Sequence, residues 1–160
     1  MIVVAVGTFV HGFDELVEGA DRAIAMLGAA GFAQIGHGRY LPLAMSWARF
    51  LPAPTFLARL REASVVVCHG GIGIIGEAMR AGRPIVAVPR RGPTTRRHPA
   101  NDQTEFLYRL ADRFPITVCE DPAALTTALC RRLALAPPCY ALESDIPDLV
   151  ARYLAGSGTR

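Results

Sequence analysis

The segment His69-Gly70-Gly71-Ile72-Gly73 has the residue types that point most directly to chemistry. It follows an apolar run at 64–68 and precedes a stretch with helical spacing. Glycines between a strand and a helix let the backbone approach a ligand closely, and the helix N-terminus carries partial positive charge. The segment therefore predicts a phosphate or diphosphate site. The alternative is that the glycines only form a tight turn.

Two titratable side chains accompany these glycines. His69 ends the predicted strand, where its ring can face the same anion, although a single histidine is more often structural. Glu77 lies in the first turns of the following helix and could accept hydrogen bonds from the hydroxyls of a ribose. The alternative for Glu77 is a solvated carboxylate, placed favourably in the helix dipole.

Two familiar nucleotide motifs fit poorly. Residues 71–76 match GxGxxG, but they lie in the third strand–helix unit, and Pro93 stands near the place where an acidic residue is expected. All 17 basic residues are arginine, so the lysine of a phosphate-binding P-loop is missing.

Composition indicates one compact domain. The 160 residues are 51% hydrophobic and 19% charged, and a net charge of +3 is too small to indicate a nucleic-acid partner. We find no targeting signal and no run long enough to cross a bilayer, which predicts a cytoplasmic protein. The four cysteines form no CxxC pair, so we expect neither a metal site nor a cofactor.

The elements that position these residues alternate along the chain. Apolar runs predict strands at 2–6, 33–35, 64–68, 85–88 and 116–119, and helical patterns follow most of them. This alternation predicts an α/β fold, a Rossmann-like parallel sheet with helices on both faces. The proline-broken stretch 40–56 is predicted to be mostly irregular.

We expect residues 1–136 to form this domain and residues 137–160 to add a tail with one helix, around 145–154. Ligands of such folds bind at the carboxyl ends of the strands, here in the loops at 7–12, 69–73 and 89–103.

Several segments resemble the signature of the glycosyltransferase family 28 C-terminal domain. Residues 69–79 read HGGIGIIGEAM and residues 82–90 read GRPIVAVPR, close to the family's HGGxGTxxEA and GxPxIxVPR. The HPANDQ of 98–103 is similar to its H…NDxQ segment, and the VGT of 6–8 with the FDELV of 13–17 resembles the start of its free-standing members. The resemblance covers residues 2–130 in the right order.

This family is the donor-binding half of MurG-type enzymes, which is the C-terminal half of a GT-B glycosyltransferase. Its single-domain members include the catalytic subunit of the dolichol-linked N-acetylglucosaminyltransferase and PssE-type subunits of exopolysaccharide assembly. The resemblance implies an inverting transfer from a UDP-sugar to a polyprenyl-pyrophosphate-linked acceptor, without a metal. It also implies a membrane-anchored, acceptor-binding partner subunit that recruits the chain to the inner face of the membrane. The competing hypothesis is a non-catalytic module that binds nucleotide sugars.

The resemblance also assigns roles to individual residues. The backbone at Phe50 and Leu51 would meet the uracil, and Glu77 would take the ribose. The donor diphosphate would be held by Thr8, His69, Gly70, Gly71 and Gly73. The donor sugar would be held by Asn101, Asp102 and Gln103.

One departure from the family pattern, one further candidate residue and one arginine cluster complete the sequence-based expectations. Ile74 stands where the family usually has threonine, which removes one hydroxyl contact worth about 0.5–1.5 kcal/mol. His11 is a candidate for contact with the donor phosphate or the acceptor, and the general base is expected on the partner. Four arginines are predicted either to contact an anion or membrane surface or to form a solvated loop: Arg90, Arg91, Arg96 and Arg97.

Overall fold

The computed structural model of the protein describes residues 1–92 and 102–141. The predicted C-terminal helix, at 145–154, lies outside these ranges. The strands are β1 Ile2–Ala5, β2 Gly31–Gln34, β3 Ser46–Ala48, β4 Val65–His69, β5 Ile85–Val88 and β6 Ile116–Val118. The helices are α1 Asp14–Leu27, α2 Ala53–Glu62, α3 Ile72–Arg80, α4 Thr104–Ala111 and α5 Leu125–Leu133, the last preceded by a 3₁₀ turn at Pro122–Ala124.

The six strands form one parallel sheet in the order β3-β2-β1-β4-β5-β6. The chain leaves β1 toward one edge through β2 and β3, then returns to the centre and builds the other edge from β4 onward. β1 and β4 are therefore neighbours at the point where the direction of winding reverses, and Ala5 pairs with Cys68 at their carboxyl ends. Open α/β sheets bind ligands at this switch point.

Helices cover both faces of the sheet, as predicted. Alternate residues of a strand point to opposite faces, so Val65 and Val67 join the core under α1 and α5, whereas Val66 and Cys68 join the core under α2, α3 and α4. All four side chains are fully buried. Strands covered on both sides need no alternation of polar residues, which is why β1, β4 and β5 are continuous apolar runs.

Most of 40–56 is irregular, as predicted, but the stretch also contains β3 and the start of α2. β3 has only three residues, pairs with β2 alone and leaves Ser46 and Trp47 exposed. Such a short edge strand carries little apolar signal. Asp121 caps the 3₁₀ turn before α5, because its carboxylate accepts a hydrogen bond from the Ala123 N–H at 2.8 Å. Among the described residues, no helix is long and apolar enough to span a membrane.

Candidate functional site

Three loops meet at the carboxyl ends of β1, β4 and β5, and the His69 ring lies between two of them. An added Cβ on Gly7 would lie 2.6 Å from His69 Cε1, and one on Gly71 would come closer still to Nε2. Gly7 also has a φ of +74°, which side-chain-bearing residues rarely adopt. A side chain at either position would clash with the imidazole ring, which explains why both residues are glycine. The sequence predicted that glycines would lie here, but not that a histidine ring fills the space they leave.

The N-terminus of α3 retains three N–H groups that could bind an anion. The Gly70 N–H donates to Gln103 Oε1 at 2.9 Å, and the Gly71 N–H donates to the His69 carbonyl at 2.8 Å. The first intrahelical hydrogen bond runs from the Ile75 N–H to the Gly71 carbonyl. Helix geometry therefore leaves the N–H groups of residues 72–74 without an intrahelical acceptor.

This arrangement changes the predicted diphosphate set. Gly70 and Gly71 use their N–H groups inside the protein, so the expectation that they donate to the diphosphate does not fit this structure. Gly73 is exposed, with open space where a Cβ would lie, and its N–H remains a suitable donor. The backbone N–H groups of Ile72 and Ile74 are also suitable donors, because a backbone N–H can donate whatever the side chain is.

His69 is a neutral base in this environment. Burial lowers the pKa of His69 to about 4, the nearby positive charge of Arg90 lowers it further, and the carbonyl of Ala5 opposes the shift. Nδ1 is buried and has no well-formed hydrogen bond within the described part of the chain. A contact between His69 and a diphosphate would therefore begin from an uncharged ring.

Gln103 joins two of the loops. Its side-chain Oε1 accepts from the backbone N–H of Gly70 at 2.9 Å and from the backbone N–H of Arg90 at 3.0 Å. The backbone N–H of Gln103 donates to the Arg90 carbonyl at 3.1 Å. An amide oxygen with two acceptor positions is fully used by these bonds. Only the amide nitrogen is left for the predicted contact with a donor sugar.

Asp102 directly precedes Gln103, the N-cap residue of α4. The carboxylate accepts from the Thr104 N–H at 2.8 Å, and hydrogen bonds from Thr104 lower the pKa of Asp102. This is the local bond that an aspartate side chain makes to the backbone two residues further on, and it precedes the helix rather than capping it. Asn101, Arg96 and Arg97 lie outside the described residues.

The structure separates Arg90 from the predicted exposed cluster. Arg90 is only 7% exposed, and its guanidinium donates to the carbonyls of Gly12 and Val6, so it cannot contact a membrane surface. The sequence interpretation missed this because the two carbonyls belong to residues 78 and 84 positions away. Arg91 does lie at the surface, where it pairs with Glu120.

One face of α3 is open beside the free N–H groups. Gly73 and Gly76 lie at helical spacing with Glu77 and Arg80. Open space surrounds the position of a Cβ on Gly73, whereas a Cβ on Gly76 would lie 3.6 Å from the Arg80 guanidinium. The Glu77 carboxylate is partly exposed and pairs with Arg80 at 2.7 Å. Glu77 is thus close to the predicted anion site, and its carboxylate could give up the surface ion pair with Arg80 for a hydrogen bond from a ligand hydroxyl.

The predicted uracil contact falls after β3. The Leu51 N–H already donates to Gln34 Oε1 at 2.9 Å, so it is not an open donor. Phe50 is half exposed, and its ring meets the ring of His37 edge-on with centroids 5.0 Å apart. His37 was not predicted, because nothing in its local sequence indicates that the β2–β3 loop brings it to Phe50.

Thr8 and His11 lie exposed on the β1–α1 loop, at the same edge of the sheet as the α3 N-terminus. The His11 ring packs edge-on to Phe9, with centroids 5.2 Å apart. No group of three or more histidine, cysteine, aspartate or glutamate side chains that could hold a metal occurs within 1–92 and 102–141.

Comparison with known proteins gives a family and a fold. Residues 1–131 match the model of the glycosyltransferase family 28 C-terminal domain. No curated protein matches the chain significantly. Solved structures that resemble it include the glycotransferase of kitacinnamycin, 24% identical with a TM-score of 0.61, which covers 98% of this chain and 38% of that one.

Two other solved structures have the same fold. MurG of Acinetobacter baumannii is 20% identical with a TM-score of 0.56, and the match covers 80% of this chain and 40% of that one. The UDP-GlcNAc 2-epimerase of Methanocaldococcus jannaschii, solved with UDP-GlcNAc and UDP, is 12% identical with a TM-score of 0.68, covering 96% and 44%. The chain thus spans about two fifths of the length of these proteins. Its sheet and helices correspond to the C-terminal half of a GT-B glycosyltransferase, and the chain belongs to the glycosyltransferase family 28 C-terminal domain family.

Proposed function

We propose that this chain is the donor-binding, catalytic subunit of a two-component glycosyltransferase that uses a UDP-sugar. The observation that carries the proposal is the α3 N-terminus, where three N–H groups lack intrahelical acceptors and the exposed Gly73 leaves open space, at the switch point of a family 28 domain. Donors fixed in place before the reaction stabilise the charge that develops on a departing diphosphate. This is the electrostatic task of a donor-binding half.

The proposed reaction is a displacement at the anomeric carbon of the sugar. The acceptor hydroxyl forms the new C–O bond, the bond to the diphosphate breaks with inversion, and UDP leaves with both electrons. The hydroxyl proton passes to a general base. We place that base on a membrane-anchored partner that binds a polyprenyl-pyrophosphate-linked acceptor, because we find no convincing histidine–carboxylate pair for it in the described residues.

Within this proposal Glu77 accepts hydrogen bonds from the ribose hydroxyls, and the region of Phe50 contacts the uracil ring. The amide nitrogen of Gln103 is the group that remains to contact the donor sugar. The N–H groups of residues 72–74 take the diphosphate, with the neutral ring of His69 beside them. No metal is required by this scheme, because the helix N-terminus supplies the positive end of its dipole.

Thermal unfolding with nucleotides is the first test. UDP should stabilise the chain, by about 2.7 kcal/mol at 100 times its dissociation constant, whereas ADP should not. dTDP belongs in the same screen, since the glycosyltransferase VinC, a solved structure of the same fold, was determined with dTDP. If neither pyrimidine diphosphate stabilises a folded sample, the donor site is wrongly assigned.

Transfer itself needs the partner. The chain should be purified with its natural partner and assayed with radiolabelled UDP-sugars and a polyprenyl-pyrophosphate acceptor, and the anomeric configuration of the product read by NMR. Transfer with inversion by the complex supports the proposal. A complex that binds UDP and never transfers would favour the second candidate.

That second candidate is a non-catalytic module that binds nucleotide sugars. Ile74 is the residue that favours it, because its side chain packs partly buried on the core beside α3 and offers no hydroxyl to a phosphate. The two functions differ in the transfer assay alone, since both include nucleotide binding.

A further inference from the structure

Arg90 is a buried cation that meets no carboxylate in the part of the chain that the structure describes. Its side chain is 7% exposed, and among residues 1–92 and 102–141 no carboxylate lies within ion-pair distance of its guanidinium. Its Nε is buried and makes no hydrogen bond within those ranges. Burying an unpaired charge is costly, so a protein that keeps one usually has a use for it.

The guanidinium holds both ends of the β1–α1 loop. Nη1 donates to the Gly12 carbonyl, and Nη2 donates to the Val6 carbonyl at 3.4 Å. The rings of Phe9 and Phe13 enclose it, with centroids 5.1 and 4.5 Å from Cζ. Carbonyl oxygens and aromatic faces offset part of the desolvation of a cation but leave its full charge in place.

The main chain of the same residue is bonded to the turn before α3. The Arg90 N–H and the Gly70 N–H share Gln103 Oε1 as their acceptor. Arg90 is therefore connected by its side chain to the loop after β1 and by its backbone, through Gln103, to the turn after β4. Those are the two loops between which the His69 ring lies.

We propose that Arg90 is a positioning residue for the donor diphosphate, which fixes the β1–α1 loop against the β4–α3 turn and supplies a permanent positive field without touching the ligand. The proposal rests on the proposed donor site. In this proposal the bound diphosphate is the counter-ion of the buried guanidinium.

The field of Arg90 does reach this site. The guanidinium charge is the second-largest cause of the lowered pKa of His69, whose ring contacts both Gly7 and Gly71. A charge that disfavours an imidazolium at that place favours an anion there for the same Coulombic reason.

The test compares UDP, UMP and uridine as ligands of the wild type, Arg90→Met and Arg90→Lys by calorimetry. In Arg90→Met the dissociation constant for UDP should rise about tenfold or more, as expected when a unit charge several ångströms from a diphosphate is removed. Uridine lacks phosphate, so its affinity should change by less than about twofold. Arg90→Lys keeps the charge and should restore most of the preference for UDP over uridine.

Arg109→Met is the matched control, because Arg109 is an exposed arginine that pairs with Glu105 on α4. The Arg109→Met variant should prefer UDP over uridine to the same extent as the wild type. If Arg90→Met does not fold, Gln103→Glu keeps an oxygen acceptor for both N–H groups and adds a negative charge beside Arg90. It should lower the affinity for UDP more than that for uridine.

The outcomes separate the two proposals. A wild type that binds UDP, with Arg90→Met or Gln103→Glu losing UDP and uridine equally, would overturn the role of Arg90 and leave the donor site standing. A folded wild type that binds none of the three ligands would overturn the donor site and this inference with it.

Discussion

At the scale of single residues, the site depends on a histidine that is kept neutral and on two glycines that make room for it. The His69 ring fills the space that Gly7 and Gly71 leave, and burial together with Arg90 holds its pKa at about 4. The ring is therefore uncharged at neutral pH and becomes harder to protonate than it would be in the unfolded chain. This difference makes stability depend on pH.

Protonation of His69 should destabilise the fold as the pH falls. The unfolded chain takes up the proton near pH 6.5 and the folded protein only near pH 4, so the unfolded state binds more protons between these values. The contribution of His69 is intact above about pH 6.5 and is lost toward pH 4, by roughly 3 kcal/mol. Urea unfolding at pH 7.5, 6 and 5 should show a smaller pH dependence in His69→Gln than in the wild type. Equal pH dependence would contradict the lowered pKa.

Glu77→Ala should weaken UDP binding by about 10- to 100-fold, because hydrogen bonds to a charged group are worth about 1.5–3 kcal/mol. Glu105→Ala provides the control, since Glu105 is also a helical carboxylate in a surface ion pair with an arginine. Titration of both variants with UDP measures the difference. Equal effects would remove Glu77 from the ribose site.

Local sequence predicted the site only where the chemistry is local. The glycine turn before α3 and the apolar run of β4 are patterns within a few residues, and both were found. The partners of His69, Gln103 and Arg90 were not, because they come from loops that only the assembled sheet brings together. Arg90 shows this best: it stands at the border between the buried Pro89 and the exposed Arg91, and the carbonyls that bind its guanidinium come from a loop at the other end of the chain.

At the scale of elements, a buried carboxylate on α1 holds the loop between β2 and β3. Asp21 is 4% exposed and accepts from the Tyr40 hydroxyl and from the N–H groups of Leu43 and Ala44, all at 2.9 Å. Leu43 itself is 93% exposed, whereas Met45 nearby is buried in the core, so the loop is held by these hydrogen bonds together with the apolar contacts of Met45. The loop leads into β3 and thus toward Phe50 at the predicted uracil side.

Asp21→Asn should lower the free energy of unfolding by about 1–3 kcal/mol, because the amide that replaces one oxygen cannot accept and leaves buried N–H groups unpaired. Glu18→Gln, one turn earlier, removes only a surface ion pair with Arg22 and should cost about 0–1 kcal/mol. Urea unfolding of both variants gives the comparison. A cost for Asp21→Asn no larger than that for Glu18→Gln would show that the loop is held by other contacts.

At the scale of the whole molecule, the two cores share a single sheet. Leu129 is fully buried on the α1–α5 side and Leu60 on the α2–α3 side, and both pack against strands that run through the centre. Neither core has strands of its own. We therefore expect the described domain to unfold as one unit.

Leu60→Ala and Leu129→Ala should each lower stability by about 2–5 kcal/mol and leave one cooperative transition. Far-ultraviolet circular dichroism and the fluorescence of Trp47, the single tryptophan, should report the same midpoint in each variant. Two separate transitions would mean that the cores unfold independently.

The central pairing of β1 with β4 has a consequence for the order of events during synthesis. Val3 and Val66 are register partners although 63 residues separate them in the chain, and the loops that follow their strands form the candidate site together. A nascent chain that ends before β4 holds only one of these loops, and pairing over such a separation is slow to form. The ability to bind a nucleotide should thus appear late in folding, when the middle of the sheet has closed.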